Sequence, residues 1–166
     1  CRELRALCQW PHLATDVVRK ALAGLEPTAH ASPEHYSAAF SEKTYGELLR
    51  MAGAETAQGS LCVLLDGNFP SPAHRERAAE AARAAGARLA ILHVDIDADT
   101  AARRARDREQ EAGNVSDAGP AIARALHASF IAPTPAEADG LVALDGTLEL
   151  ELLCVTALTR LLAIRP

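Results

Sequence analysis

Apolar residues fall in short blocks along this chain, and the stretches between the blocks carry helix-period patterns. The densest block is residues 61–65 (LCVLL), set between Gly59-Ser60 and Asp66-Gly67. A short apolar run between turn signals predicts a strand buried on both faces, as in a parallel sheet covered by helices. Residues 88–96 (RLAILHVDI) and 141–145 (LVALD) repeat the pattern. All three runs close on an acid: Asp66, Asp95 and Asp145. Residues 11–14 are a shorter candidate strand end.

Between these blocks the spacing predicts helices over 2–9, 17–23, 37–57, 73–85, 98–112, 120–131 and 148–164. Thr15-Asp16 reads as the N-cap of the second helix and Gly24 as its terminator. Residues 25–36, with Pro27, Pro33, His30 and His35, read as a loop, as do 113–119 and 133–140. Strands alternating with helices over the whole length predict an α/β fold with a mainly parallel sheet. There is no internal repeat.

Composition narrows the class. At 166 residues the chain has the size of one domain and can bury a real core. Although 49% of it is apolar, no apolar stretch approaches the roughly 20 residues that span a bilayer. No charged-then-apolar leader opens it, and the expected location is the cytoplasm. A net charge of -5 argues against nucleic acid as an obligatory partner. Cys1, Cys8, Cys62 and Cys154 lack the close spacing of a zinc site and read as thiols of a reducing compartment. The chain opens on Cys1 and its only methionine is Met51, so the expectation is a removed start or a part of a longer chain.

The acid-tipped strands are where chemistry is expected, because ligands of open α/β sheets gather at the carboxyl ends of strands. After Asp66 come Pro70 and Pro72 and then an Ala/Arg/Glu helix, which together make one βα unit of a nucleotide-binding fold. The DIDAD stretch (Asp95, Asp97, Asp99) does not make a calcium loop. That loop needs glycine at its sixth position and glutamate at its twelfth, where this chain has Thr100 and Arg106. Asp97 or Asp99 instead reads as the cap of the arginine-dense helix. Trp10 and Tyr36 read as packing residues, and His74 and Arg75 as surface residues at a helix start.

Several motifs occur in an ordered series: TDVVRKALAGL (residues 15–25), a helix with Tyr36 and Tyr45, VLLDGNFPSPAHRE, the arginine helix, and VSDA (residues 115–118). In that order they resemble the P-loop small-molecule kinases of the gluconate-kinase and zeta-toxin type. The likeness is greatest to the kinase-like domain fused in bacteria behind an aminoglycoside-phosphotransferase-like domain. The resemblance implies a single three-layer P-loop kinase-like domain over 1–166, helices on both faces of a parallel sheet, and a lid around 99–119. It also implies ATP and Mg²⁺ as cofactors, a small molecule with a hydroxyl as acceptor, and fusion to another domain. The family's first strand and its G-x-x-x-x-G-K-[ST] loop are absent from this sequence. The resemblance therefore implies a gap at the sheet centre and impaired phosphate binding by these residues alone.

Residue by residue, the resemblance makes Asp16 the catalytic acid beside the acceptor hydroxyl and Arg19 a substrate-side contact. It makes Asp66 the acid that holds magnesium through water. Arg106, with Arg103 or Arg104 and with Arg108, becomes the lid that closes over ATP. Each has a simpler reading: Asp16 as a helix cap, Arg19 as a solvated face, Asp66 as a turn aspartate. The arginines could equally form a surface stripe paired with Asp99, Asp107 and Glu109. Two rival functions stay open, a non-catalytic module on a degenerate kinase fold and a nucleoside-triphosphate hydrolase.

Overall fold

The computed structural model describes residues 2–111 and 113–164. The chain divides into two compact units, Cys1–Asn68 with Ala105–Gly119, and Phe69–Arg104 with Pro120–Pro166. Among the described residues are seven α-helices and four strands, and every strand pairing is parallel, so the fold is α/β.

In the first unit, α1 (Arg2–Cys8) is followed by a turn at Gln9, whose φ is 58°. The chain then enters β1 (His12–Ala14), which runs without a loop into α2 (Thr15–Leu22). A short 3-10 turn, Pro33–Tyr36, precedes α3 (Ala38–Ala57), whose N-cap Ser37 accepts a hydrogen bond from the Phe40 N–H at 3.3 Å. Beyond Gly59, β2 (Leu64–Asp66) lies parallel to β1, with Ala14 beside Asp66. Both strands thus end at one edge, and α2 leaves from it. Val18 of α2, Tyr45 and Leu48 of α3, and Leu64 of β2 are buried, Leu48 completely.

Two expectations are corrected here. Residues 61–65 do not form a buried five-residue strand: only Leu64 and Leu65 of that run are in β2, and Leu61 is 99% exposed. Strand length is limited by the partner, and β1 offers only three residues to pair with. Thr15-Asp16 is not the N-cap of α2 either. The cap position is Ala14, with no side-chain capping bond, and Asp16 lies in the first helical turn with its side chain free for other contacts.

In the second unit, α4 (Pro72–Ala84) begins with proline in its first turn, where a missing N–H costs nothing. β3 (Ala90–Asp95) pairs along its whole length with β4 (Gly140–Asp145), so that Asp95 lies beside Asp145. Between them come α5 (Ala98–Glu109), which continues into the first unit from Ala105, and α6 (Pro120–Ser129). Asp97 caps α5, accepting the Thr100 N–H at 2.8 Å and the Thr100 hydroxyl at 2.8 Å. The expected helix end at Ala112 lies outside the described residues. α7 (Leu150–Leu162) packs on the sheet, where Val142, Leu144 and Ala157 form a core flanked by Leu92, Leu153 and Ile164. The expected mainly parallel sheet is thus two parallel two-stranded sheets, one per unit.

Arg75 is also corrected, from a surface residue to a buried one that is only 3% exposed. Its Nε donates to Glu137 Oε2 at 2.6 Å and an Nη to the Phe69 carbonyl at 2.9 Å. The guanidinium ties the start of α4 to the 3-10 turn Pro135–Glu137.

Candidate functional site

Polar side chains concentrate in the first unit around α2. Its inward face carries Arg19 and Lys20, 6% and 1% exposed. A lysine so deeply buried must have every N–H paired. The Lys20 ammonium donates to the Val115 carbonyl at 2.7 Å, the Pro27 carbonyl at 3.1 Å and Asp117 Oδ1 at 3.2 Å.

Asp117 accepts two further hydrogen bonds, from the Tyr36 hydroxyl at 2.7 Å and the Ala31 N–H at 3.1 Å, and the exposed His30 Nδ1 lies 3.2 Å from its Oδ1. Burial pushes the Asp117 carboxyl up, but the hydrogen bonds from Tyr36, Ala31 and Lys20 together outweigh it and hold it below the usual aspartate range. The Tyr36 phenol is pushed up, first by burial and then by its bond to Asp117. Tyr36 is therefore not a plain packing residue. It is 43% exposed, and its ring carries the Arg19 guanidinium 4.7 Å from the centroid.

Asp16 stands one helical turn before Arg19 and Lys20. Burial raises its pKa, opposed by the nearby Ser116 side chain and by the charge of Arg19. Ser116 also lines a cleft of about 390 Å³, together with Thr28, His30, Glu109, Asn114 and Asp117. A carboxylate raised by burial can accept a proton more readily than a solvated one. Arg19 donates to the His35 carbonyl at 2.6 Å and to Ser41 Oγ at 3.4 Å, while its buried Nε has no partner.

Asp66 lies at the shared strand end and its side chain is 47% exposed. Its Oδ2 meets His12 Nε2 at 3.0 Å, and His12 is only 11% exposed. Among the described residues no three His, Cys, Asp or Glu side chains are grouped so as to hold a metal ion. One half-exposed carboxylate does fit the way Mg²⁺ is held, by one or two carboxylates with the rest of its shell from water and phosphate. Asp66 is the residue that would hold it.

The arginines of α5 separate into two kinds. Arg104 Nη donates to the Gly146 carbonyl at 2.6 Å, and Arg103 Nη to Thr100 Oγ1 at 3.4 Å. Arg106 and Arg108 have no polar partner among the described residues. Ala102 and Ala105 are the buried face of this helix, at 1% exposure each. Asp145, the third strand-end acid, binds its own turn through the Thr147 N–H and hydroxyl.

The structure places Asp16, Arg19 and Asp66 in one unit; the sequence pointed to no role for Lys20, Asp117 or His12 and to packing for Tyr36. Lys20 sits in VVRKAL, where a lysine after an arginine reads as solvated surface. Asp117 was within reach as part of the VSDA stretch.

The sequence profile of the family described as "AAA domain" matches residues 2–133. No curated protein matches the chain. No helix among the described residues is long and apolar enough to cross a membrane.

Proposed function

Because the chain belongs to the AAA domain family, a P-loop nucleotide-binding and kinase-like group, we propose that it is the acceptor-side part of an ATP-dependent phosphotransferase acting on a hydroxyl of a small polar molecule. The observation that carries this reading is Asp16, a carboxyl raised by burial in the first turn of the helix that leaves the end of β1, near a serine that lines a polar cleft.

In this reading ATP supplies the transferable phosphoryl group and Mg²⁺ offsets its charge. Asp16 would orient the acceptor hydroxyl and take its proton as the acceptor oxygen bonds to the γ-phosphorus and the bond from that phosphorus to the bridging oxygen breaks, releasing ADP. Arg19, lying over the Tyr36 ring, would be the substrate-side contact. Asp66 would hold the magnesium through water, with His12 fixing one carboxylate oxygen. Arg106 and Arg108 are the α5 arginines free to neutralise phosphoryl oxygens. Arg104 is committed to Gly146. Catalysis would rest on positioning and charge stabilisation.

No G-x-x-x-x-G-K-[ST] pattern occurs within these 166 residues. The backbone cradle for the phosphates would have to come from outside them. That same observation favours a second reading, a non-catalytic interaction or regulatory module on the same fold. Reading the codons in frame upstream of Cys1 separates the two at the level of sequence.

The functional test is acceptor-dependent ADP formation by the natural gene product, with ATP, Mg²⁺ and a panel of sugars, polyols and amino alcohols. Asp16→Asn is expected to lower turnover at least tenfold with the fold intact, the scale of one general base. Unchanged turnover removes Asp16 from this role. ADP formed equally without an acceptor makes the protein a hydrolase, and no ATP binding leaves the non-catalytic module.

A further inference from the structure

We propose that Asp117 is the positioning residue of this site: with Lys20 it clasps the 25–36 and 113–119 segments onto α2, so that Ser116 meets Asp16 and Tyr36 backs Arg19. The inference deepens the kinase reading and rests on it only for what the site binds.

Three donors converge on the Asp117 carboxylate, and two of them, from Ala31 and Tyr36, belong to one short segment. The third, Lys20, also bonds the carbonyl of Pro27 in that segment and of Val115 beside Asp117. Two loops with little regular structure of their own are thus fastened to one helix through one buried ion pair. The neighbouring residue, Ser116, lies close enough to Asp16 to lower its pKa. Tyr36, held by its hydroxyl, is the ring over which Arg19 lies. Both proposed acceptor contacts therefore depend on where Asp117 holds its partners.

The clasp also sets the charge around Asp16. The groups that face it are Arg19 and Lys20 from its own helix, Ser116 and Asp117 from the 113–119 segment, and Tyr36 from the 3-10 turn. The charge on Asp117 disfavours ionisation of Asp16, and that on Lys20 favours it.

The experiment is a carboxyl-carbon NMR titration of the 166-residue chain and of Asp117→Asn and Lys20→Met. Asp16 is expected to titrate at lower pH in Asp117→Asn and at higher pH in Lys20→Met. An unmoved Asp16 midpoint, or shifts of the same sign in both, overturns the proposal. Should either variant fail to fold, Tyr36→Phe, which deletes only a hydroxyl, decides it in the same titration. It is expected to raise the Asp117 midpoint, and an unmoved midpoint overturns the clasp. Phosphoryl transfer is not read in this experiment. A clasp that titrates as expected in a protein that transfers no phosphoryl group leaves the inference standing and removes the kinase reading.

Discussion

Lys20 shows how strongly a single buried charge constrains its surroundings. Removing one member of a buried ion pair leaves the other charge uncompensated, at a cost of about 3–5 kcal/mol. Lys20→Met is expected to lose about 3 kcal/mol in urea denaturation, the low end because Asp117 keeps two other donors. The same pair sets an acid dependence. Asp117 and Glu137 have folded pKa values below their ordinary ones, Glu137 chiefly through its hydrogen bond from Arg75. Each then contributes stability that is present above the ordinary carboxylate value and is lost as pH falls through the depressed folded value, below about pH 4. Asp16 acts oppositely, since a raised carboxyl pKa favours the folded state as pH falls. Urea midpoints followed from pH 7 downward are expected to fall less steeply in Asp117→Asn than in the unmodified chain. An identical slope would take Asp117 out of the acid response.

At the scale of elements, the short β2 makes a sharp contrast between neighbours in sequence. Leu61 and Leu64 belong to one apolar run, yet one is 99% and the other 7% exposed. Leu61→Ser is expected to change stability by no more than about 0.5 kcal/mol. Leu64→Ala is expected to cost about 2–5 kcal/mol. Equal costs would mean that the run is paired as a longer strand. The turn after β4 imposes a different limit. A Cβ on Gly146 would lie 2.9 Å from the Asp95 carbonyl and closer still to Ile96 and Val94. The Gly146 N–H already donates to that carbonyl at 2.8 Å, so the backbone has no room to withdraw. Gly146→Ala is expected to cost about 1–3 kcal/mol, read as a lowered thermal midpoint.

At the scale of the molecule, the two sheets differ in how much holds them. The β3–β4 ladder is six residues long and carries the Val142–Leu144–Ala157 core beneath α7, whereas β1–β2 has three paired residues. Backbone amides of β3 and β4 are expected to exchange with deuterium more slowly than those of β1 and β2, because protection follows local cooperativity and burial. The helix and strand order was legible in the sequence because the apolar period changes at each boundary. The site was legible only in part. Asp16 and Asp66 could be found because acids at strand ends mark ligand positions in α/β folds. Lys20 could not, since a lysine's spacing does not say whether its ammonium reaches water or three carbonyl and carboxylate oxygens.

What the sequence determined by itself is the alternation of strands and helices, the acids at the strand ends and the family likeness, all properties of neighbours along the chain. What only the tertiary structure decided is which of those residues are charged partners of one another. Lys20 and Asp117 are 97 positions apart, and no local pattern of residues encodes a contact at that separation. Burial of one ammonium with one carboxylate requires the two to meet, because an isolated charge inside the protein costs too much to remain unpaired. The fold brings them together, and the site takes its shape from that pair.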